Sequence, residues 1–176
     1  DFIGLYRDEF EDLAICIHPS CLNKNFWVDE FLELGANVIE GADPKDYNSL
    51  LRMQALFSQY EFVTTNGHGS QIAYASYWGA KVSVCGPKPL WDQSARTDAF
   101  FKNAPETLKE FEKWRVSSFL DNLLPQFNTV PHLAIDNSVW AKFQLGEMHK
   151  LSKHKLDKLL KRSLKNRVYA RVNSVF

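Results

Sequence analysis

The sequence predicts an α/β fold in which a parallel sheet is flanked by helices. Short apolar runs, each about the length of one strand, alternate with segments of helical spacing through the first half of the chain. The runs are apolar on both faces, and Gly or Pro lies at or just after the end of each. Because such strands need cover from both sides, the alternation indicates a buried parallel sheet.

Four of these runs predict the strands. LAICIHP stops at Pro19, since proline cannot continue a central strand. ANVIEG and KVSVCG end in glycine, and FVTT passes into a glycine-rich turn. The predicted strands are residues 13–19, 36–41, 62–65 and 81–86.

Three predicted helices lie between these strands. Gly35 is placed as the C-cap of the first, the Asp43-Pro44 pair marks the start of the second, and Gly79 closes the third. The resulting order, β-α-β-α-β-α-β, is that of a Rossmann-like parallel sheet flanked by helices. The predicted helices are residues 27–35, 42–59 and 70–79.

The second half of the chain predicts further helices. Residues 88–137 spread seven aromatic side chains through charged sequence that Pro105, Pro125 and Pro131 interrupt, which indicates two helices and a loop packed back on the sheet. Residues 137–147 predict one more short helix. We therefore divide the chain into a Rossmann-like domain, 1–136, and a C-terminal helical segment, 137–176, that ends in a basic amphipathic helix.

The amino-acid composition limits the class of protein to which the chain can belong. The 176 residues are 45% hydrophobic and 24% charged, which is typical of a globular domain and excludes intrinsic disorder. No apolar run approaches the roughly 20 residues that cross a bilayer. The three cysteines form no CxxC pair, so neither a disulfide framework nor a zinc site is indicated, and a reducing cytoplasmic setting is favoured.

The C-terminal tail is basic although the whole chain has no net charge. Residues 150–171 hold nine Lys or Arg and one acid, which leaves twelve basic and twenty acidic residues elsewhere. From Leu156 to Val168, apolar residues fall on one stripe of a helix. Two interpretations stay open: residues 151–171 lie on an anionic membrane surface, or the stripe packs on the protein and the charges are solvated. The acidic body disfavours nucleic acid as a partner.

The turn Thr-Thr-Asn-Gly-His-Gly-Ser, residues 64–70, leads from a predicted strand into a helix. A helix N-terminus attracts anions, the two glycines let a phosphate approach the backbone, and Ser70 is placed as N-cap and hydroxyl donor. Neither the GxxxxGK[ST] loop nor the GxGxxG fingerprint is present, so nucleoside triphosphates and NAD are not favoured. In the alternative interpretation, the glycines only make a tight turn and His68 is exposed without a role.

His18 and Glu40 lie near the carboxyl ends of two other predicted strands. Pro19 ends the first strand just past His18, which places the imidazole at the ligand edge of the sheet. A protonated His18 there offsets phosphate charge, so His18 and the 64–70 turn are predicted to hold one phosphate from two sides. Glu40 is either a ligand of a ribose hydroxyl or an ordinary exposed residue at a strand end.

Residues 61–87, which end in YWGAKVSVCGP, resemble the donor-binding C-terminal domain of GT-B glycosyltransferases. In that domain a Gly/Ser-rich turn, a helix and a similar strand follow one another. More narrowly, ICIHP followed by a serine-bearing turn is similar to the His-Pro and Ser motifs of bacterial GT-B sialyltransferases and Kdo transferases, which use CMP-activated sugars in capsule and lipopolysaccharide synthesis. The Ser motif has one hydroxyl residue here instead of two, so UDP, GDP and dTDP stay open beside CMP. The resemblance covers roughly residues 12–90.

The resemblance implies a metal-independent glycosyltransferase that uses no cofactor, and no DxD motif occurs in the sequence. Its partners would be a nucleotide-sugar donor and a glycan or lipid-linked glycan acceptor, in the cytoplasm or peripherally at the inner face of the cytoplasmic membrane. His18 would stabilise the leaving phosphate. The implied donor-binding residues are His18, Pro19, Glu40, Thr65, Asn66, Gly67, His68, Gly69 and Ser70.

The chain is expected to be only part of the catalytic unit. In inverting enzymes of this type the catalytic base generally comes from an N-terminal acceptor domain, which we expect to lie outside this chain. Two alternatives stay open, because a fold alone does not fix a function. One is a sugar-nucleotide epimerase or hydrolase of the same fold, and the other is a non-catalytic module that binds nucleotide-sugars or glycans.

Overall fold

The computed structural model of the chain describes residues 2–7, 9–43, 45–87, 102–116 and 119–173. Its strands are β1 Ala14–Ile17, β2 Asn37–Glu40, β3 Phe62–Thr65 and β4 Lys81–Val84. Its helices are α1 Phe2–Arg7, α2 Pro19–Leu22, α3 Val28–Glu33, α4 Ser49–Phe57, α5 Ser70–Tyr77, α6 Pro105–Val116, α7 Phe119–Leu123, α8 Ser138–Gln144 and α9 Lys153–Asn173. Single 3₁₀ turns span Pro125–Phe127, Pro131–Leu133 and Glu147–His149.

The chain divides into two compact units, Asp1–Ala141 and Lys142–Phe176. The first unit holds all four described strands and is a mixed α/β structure, as the alternation of strands and helices predicts. The second unit holds the 3₁₀ turn Glu147–His149 and the long helix α9. None of the helices in the described ranges is both long and apolar enough to span a membrane.

The strands pair in parallel, as predicted, in two ladders. One ladder joins β1 to β2 and ends with Ile17 opposite Glu40. The other joins β3 to β4 and ends with Thr65 opposite Val84. Within the described ranges these are two separate two-stranded sheets, so a continuous Rossmann-like sheet stays a prediction. Each ladder brings two carboxyl strand ends to one edge.

The segments that enter β1 and β3 lie against each other. The rings of Phe10 and Phe62 are tilted by 56° with centroids 5.5 Å apart. Burial raises the pKa of Tyr60, and the nearby negative charge of Asp12 raises it further. The amino ends of these two strands are therefore neighbours, although no ladder joins the strands in the described structure.

Helix α4 begins at Ser49, later than the predicted start at residue 42. Two carboxylates hold the preceding residues in turns. The backbone N–H of Lys45 donates to Asp43 Oδ1, and that of Asn48 donates to Asp46 Oδ1, each at 2.8 Å. Because an Asp side chain that binds a backbone N–H two residues on stabilises a turn, the start signal read at Asp43 is wrong.

The core of the first unit lies where α5, β4 and the segment after α7 meet. Ile72, Val82 and Phe127 are fully buried together, and Phe127 packs edge-on against Trp140 with ring centroids 4.8 Å apart. The part of the 88–137 segment around Phe127 and Pro131 thus packs back on the strands, as predicted for the segment. The rest of that prediction, on residues 88–101 and 117–118, lies outside the described residues.

Candidate functional site

An open cleft of about 450 Å³ lies at the carboxyl ends of β3 and β4. Its floor is formed by Asn66, just after β3, and by residues 84–86 at the end of β4. Its wall is formed by Asp121 of α7 and by residues 128–130. The cleft therefore lies at the kind of strand edge where parallel α/β sheets bind ligands.

Two hydrogen bonds fix the floor of the cleft. The backbone N–H of Cys85 donates to the carbonyl of Thr65 at 3.0 Å, which extends the β3–β4 pairing by one step. The side-chain amide of Asn66 donates to the carbonyl of Pro87 at 2.9 Å. The turn that follows β3 is thus tied to the segment that follows β4.

The wall is held by one buried aromatic residue and one amide. Phe127, fully buried in the core, anchors the segment that carries the wall residues. The side-chain amide of Asn128 donates to the carbonyl of Asp121 at 2.8 Å, and the backbone N–H of Thr129 donates to the carbonyl of Phe127 at 2.9 Å. The wall is therefore braced from both ends, and its polar side chains line the cleft at fixed backbone positions.

His68 faces the wall. Its Nε2 lies 3.9 Å from Oδ1 of Asp121, and its side chain is only 10% exposed. The alternative interpretation is therefore wrong in placing His68 in solvent. Since the glycine-rich turn and α7 meet at this pair, His68 couples the turn to the wall of the cleft.

The turn itself is braced by side chains. The hydroxyl of Thr65 donates to the carbonyl of Gly67 at 3.0 Å. The amide of Gln71 donates to Thr65 Oγ1 at 3.2 Å and to the carbonyl of Gly67 at 3.3 Å. The Thr65 hydroxyl is thus engaged within the turn, and Gln71 holds the turn against the first turn of α5.

The N-terminus of α5 is exposed, but its cap differs from the prediction. Gly69 is the N-cap, with an extended backbone (φ −172°, ψ −179°) and no side-chain hydrogen bond, and Ser70 is already the first helical residue. Ser70 as N-cap is therefore wrong, because a capping hydroxyl must come from the non-helical residue before the helix. Both residues are exposed, which leaves the helix start open to solvent.

His18, Pro19 and Glu40 belong to the other ladder. The register places Glu40 opposite Ile17, so His18 and Glu40 lie at the same carboxyl edge and both are exposed. Pro19 is buried and begins α2. The structure thus groups these residues at one strand edge and Thr65–Ser70 at another, and no ladder of the described residues joins the two groups.

Several lining residues were not predicted from the sequence. Asn128 and Thr129 belong to a run of turn-forming residues that marks a loop but gives no reason to place it at a strand edge. Asp121 carries no local signal at all. Cys85 was predicted within the strand 81–86 but follows the end of β4, and burial raises the pKa of its thiol while a hydrogen bond with Ser83 lowers it by less.

Among the described residues, no group of three or more His, Cys, Asp or Glu side chains is placed to hold a metal ion. The cleft instead offers amide, hydroxyl, thiol and carboxylate groups, which suit hydrogen bonds to a polar ligand. Compared with known proteins, the chain matches no family model, no curated protein and no solved structure.

Proposed function

We propose that this chain is the donor-binding part of a metal-independent, GT-B-type glycosyltransferase. It transfers a sugar from a nucleotide-sugar, with CMP as the favoured nucleotide, to a glycan or lipid-linked glycan in surface polysaccharide synthesis. The supporting observation is the junction between β3 and α5. There the exposed Gly69 and Ser70 open a helix N-terminus next to a turn whose Asn66 lines the cleft. A helix N-terminus favours the phosphate, and the polar cleft favours the hydroxyl groups of a sugar or ribose.

The contacts between the strand entries support a role for His18 in the same site. Phe10 lies against Phe62 just before β1 and within β3, and both strands are four residues long. If the two strands run side by side in a Rossmann-like sheet, with β1 next to β3, they end at the same edge. His18 and the 64–70 turn then approach the donor phosphate from two sides.

The proposed chemistry needs charge stabilisation at the leaving group. The bond between the anomeric carbon and the phosphate oxygen breaks while the acceptor oxygen bonds to that carbon, and negative charge grows on the phosphate. The N–H groups that begin α5 and a protonated His18 stabilise that charge without a metal ion. The acceptor proton passes to a base that the resemblance assigns to a separate acceptor domain.

In this proposal, the residues that line the cleft bind the remainder of the donor. The side chains of Asn66, Asn128 and Thr129 offer both donors and acceptors to hydroxyl groups of the donor. Asp121 lies 3.9 Å from Nε2 of His68, and a protonated His68 would offset the charge of this carboxylate in a site that also takes an anion. In this arrangement the helix start binds phosphate and the cleft binds the polar remainder of the donor.

A thermal-shift panel with CMP, UDP, GDP and dTDP tests the proposal. At 100 times its dissociation constant, a nucleotide stabilises the folded chain by about 2.7 kcal/mol, or roughly 5–10 °C in a chain of this size. We expect CMP to give the largest shift and His18→Ala to reduce it, whereas the exposed His149→Ala in the second unit serves as the matched control and leaves it unchanged. If no nucleotide stabilises the wild type, the proposal fails, and a response to UDP alone rejects CMP.

The His68–Asp121 pair favours one second candidate, a sugar-nucleotide hydrolase or epimerase of the same fold. An imidazole and a carboxylate within 4 Å of each other are the groups that general acid–base catalysis uses. Incubation with a CMP-sugar and no acceptor separates the candidates. A hydrolase releases free sugar, an epimerase changes the sugar, and either activity is lost in Asp121→Asn, whereas a transferase donor domain leaves the donor intact.

A further inference from the structure

The second unit exposes its apolar side chains. Every large apolar side chain that the structure describes in this unit is exposed. No residue from Lys142 to Ser163 is buried. Contiguous apolar surface left in water marks a site of interaction with a partner or a membrane. The side chains concerned are those of Phe143, Leu145, Met148, Leu151, Leu156, Leu159 and Leu160.

Three of these side chains form a stripe on α9. Leu156, Leu159 and Leu160 are 47%, 50% and 56% exposed. At 3.6 residues per turn they fall within an arc of about 100° on one side of the helix. Each of the three keeps about half of its surface exposed.

Cations border this leucine stripe. On the same helix, Lys153 lies beside one edge of the stripe and Lys155 beside the other, and both are exposed. Asp157 is the one acidic residue in the sequence of α9, and Lys161 Nζ binds its Oδ2 at 2.7 Å. The surface that surrounds the stripe is therefore positive.

We propose that α9 lies on an anionic membrane surface, with Leu156, Leu159 and Leu160 entering the boundary between headgroups and acyl chains. Lys153 and Lys155 then extend their aliphatic stems along that boundary and place their ammonium groups at lipid phosphates. Charge complementarity selects this occupant, because an anionic bilayer offers acyl chains to the stripe and phosphates to both of its edges. The proposal is independent of the donor site.

Flotation of the full chain with lipid vesicles tests the contribution of the lysine charges to membrane binding. We expect the chain to float with phosphatidylcholine vesicles that contain phosphatidylglycerol and not with phosphatidylcholine alone. Lys153→Gln/Lys155→Gln should weaken the partition by roughly fivefold per charge removed. The matched control, Lys45→Gln/Lys102→Gln, removes two exposed charges from the first unit and should float like the wild type.

A second pair of variants tests the contribution of the leucine stripe to membrane binding. Leu156→Ala/Leu160→Ala keeps a helix-favouring residue at each position and should weaken the partition by roughly fivefold per leucine. The matched control, Leu50→Ala/Leu51→Ala, truncates two leucines on α4 that are 54% and 64% exposed, and it should float unchanged. Circular dichroism checks that all four variants stay folded.

Several results overturn the proposal. One is no flotation of the wild type on the anionic vesicles, and another is equal loss in the test and control variants. Binding to a nucleic acid duplex without binding to vesicles also contradicts it. So does a dimer that Leu156→Ala/Leu160→Ala dissociates and that does not float, because the stripe is then covered by a second copy.

Discussion

His68 and Asp121 join the glycine-rich turn after β3 to the wall of the cleft, with Nε2 of the histidine 3.9 Å from Oδ1 of the aspartate. Asp121 lines the cleft, and the side chain of His68 is largely buried. In the proposed site an anionic donor binds close to this carboxylate. The charge of Asp121 must then be compensated, and His68 is the residue placed to do so.

The first prediction is that His68 and Asp121 act on nucleotide binding as a pair. His68→Gln leaves the carboxylate uncompensated and should weaken CMP binding roughly fivefold, since like charges repel more strongly in a partly buried site. Asp121→Asn added to His68→Gln should restore affinity close to that of the wild type. Isothermal titration of the four variants of this double-mutant cycle measures the coupling. Glu30→Gln, an exposed charge change on α3, is the control, and equal losses in the single and double variants contradict the pairing.

The sequence predicted several features of the fold that depend on residues close together in the chain. β3 spans the four residues FVTT as predicted. Gly35, with φ of +76°, lies one residue after the C-cap of α3, which is Leu34 and not Gly35 as predicted. The N–H of Ala36 bonds to the carbonyl of Phe31 across that glycine, which satisfies the last turn. Such features depend on residues a few positions apart, so the sequence displays them directly.

The wall of the cleft depends on contacts between distant parts of the chain. Asp121 reaches the end of β3 because Phe127, six residues on, is buried beside Val82 of β4. No spacing in the sequence encodes that docking. The cap of α5 is a local feature that the sequence prediction missed: Gln71 fills the space beside Gly69 and braces the turn that Ser70 was predicted to cap.

A second prediction concerns the close approach at Gly69. Its backbone is extended, which any residue tolerates, but a Cβ there would meet the Gln71 side-chain amide. Gly69→Ala should therefore displace Gln71 from Thr65 and Gly67 and destabilise the fold by about 1 kcal/mol. Gln71→Ala alone should cost a similar amount, and the double variant should cost no more than either single one. Urea unfolding measures the three free energies, and strictly additive losses contradict the shared cause.

The third prediction is that two buried serines affect the free energy of unfolding in opposite directions. Among the described residues, Ser76 Oγ is buried without a hydrogen-bond partner, whereas Ser83 Oγ pairs with Thr64 Oγ1 at 2.7 Å. Ser76→Ala should raise the free energy of unfolding by about 1 kcal/mol, because it removes an unsatisfied hydroxyl and improves helix propensity. Ser83→Ala should lower the free energy by about the same amount. Urea unfolding compares the two, and changes of the same sign would contradict this assignment.

The last prediction uses Cys85 to report on the cleft. Burial raises the pKa of its thiol, and the weaker opposing effect is the hydrogen bond with Ser83. Alkylation by iodoacetamide requires the thiolate, so in a Cys16→Ser/Cys21→Ser background the rate at neutral pH should be lower than that of an unperturbed thiol and should level off at a higher pH. Ser83→Ala removes the bond that lowers the pKa and should slow the reaction further at each pH.

The same raised pKa sets the sign of a stability effect. A thiol whose pKa is higher in the folded chain than in the unfolded chain contributes stability below its unfolded value, and this is lost as the pH rises through the folded value. Cys85→Ala should therefore reduce the alkaline loss of unfolding free energy. In the alkylation assay CMP should protect Cys85, which lines the cleft, and should not protect Cys21 in a Cys16→Ser/Cys85→Ser background. If CMP stabilises the chain but leaves the alkylation of Cys85 unchanged, the nucleotide binds outside the cleft.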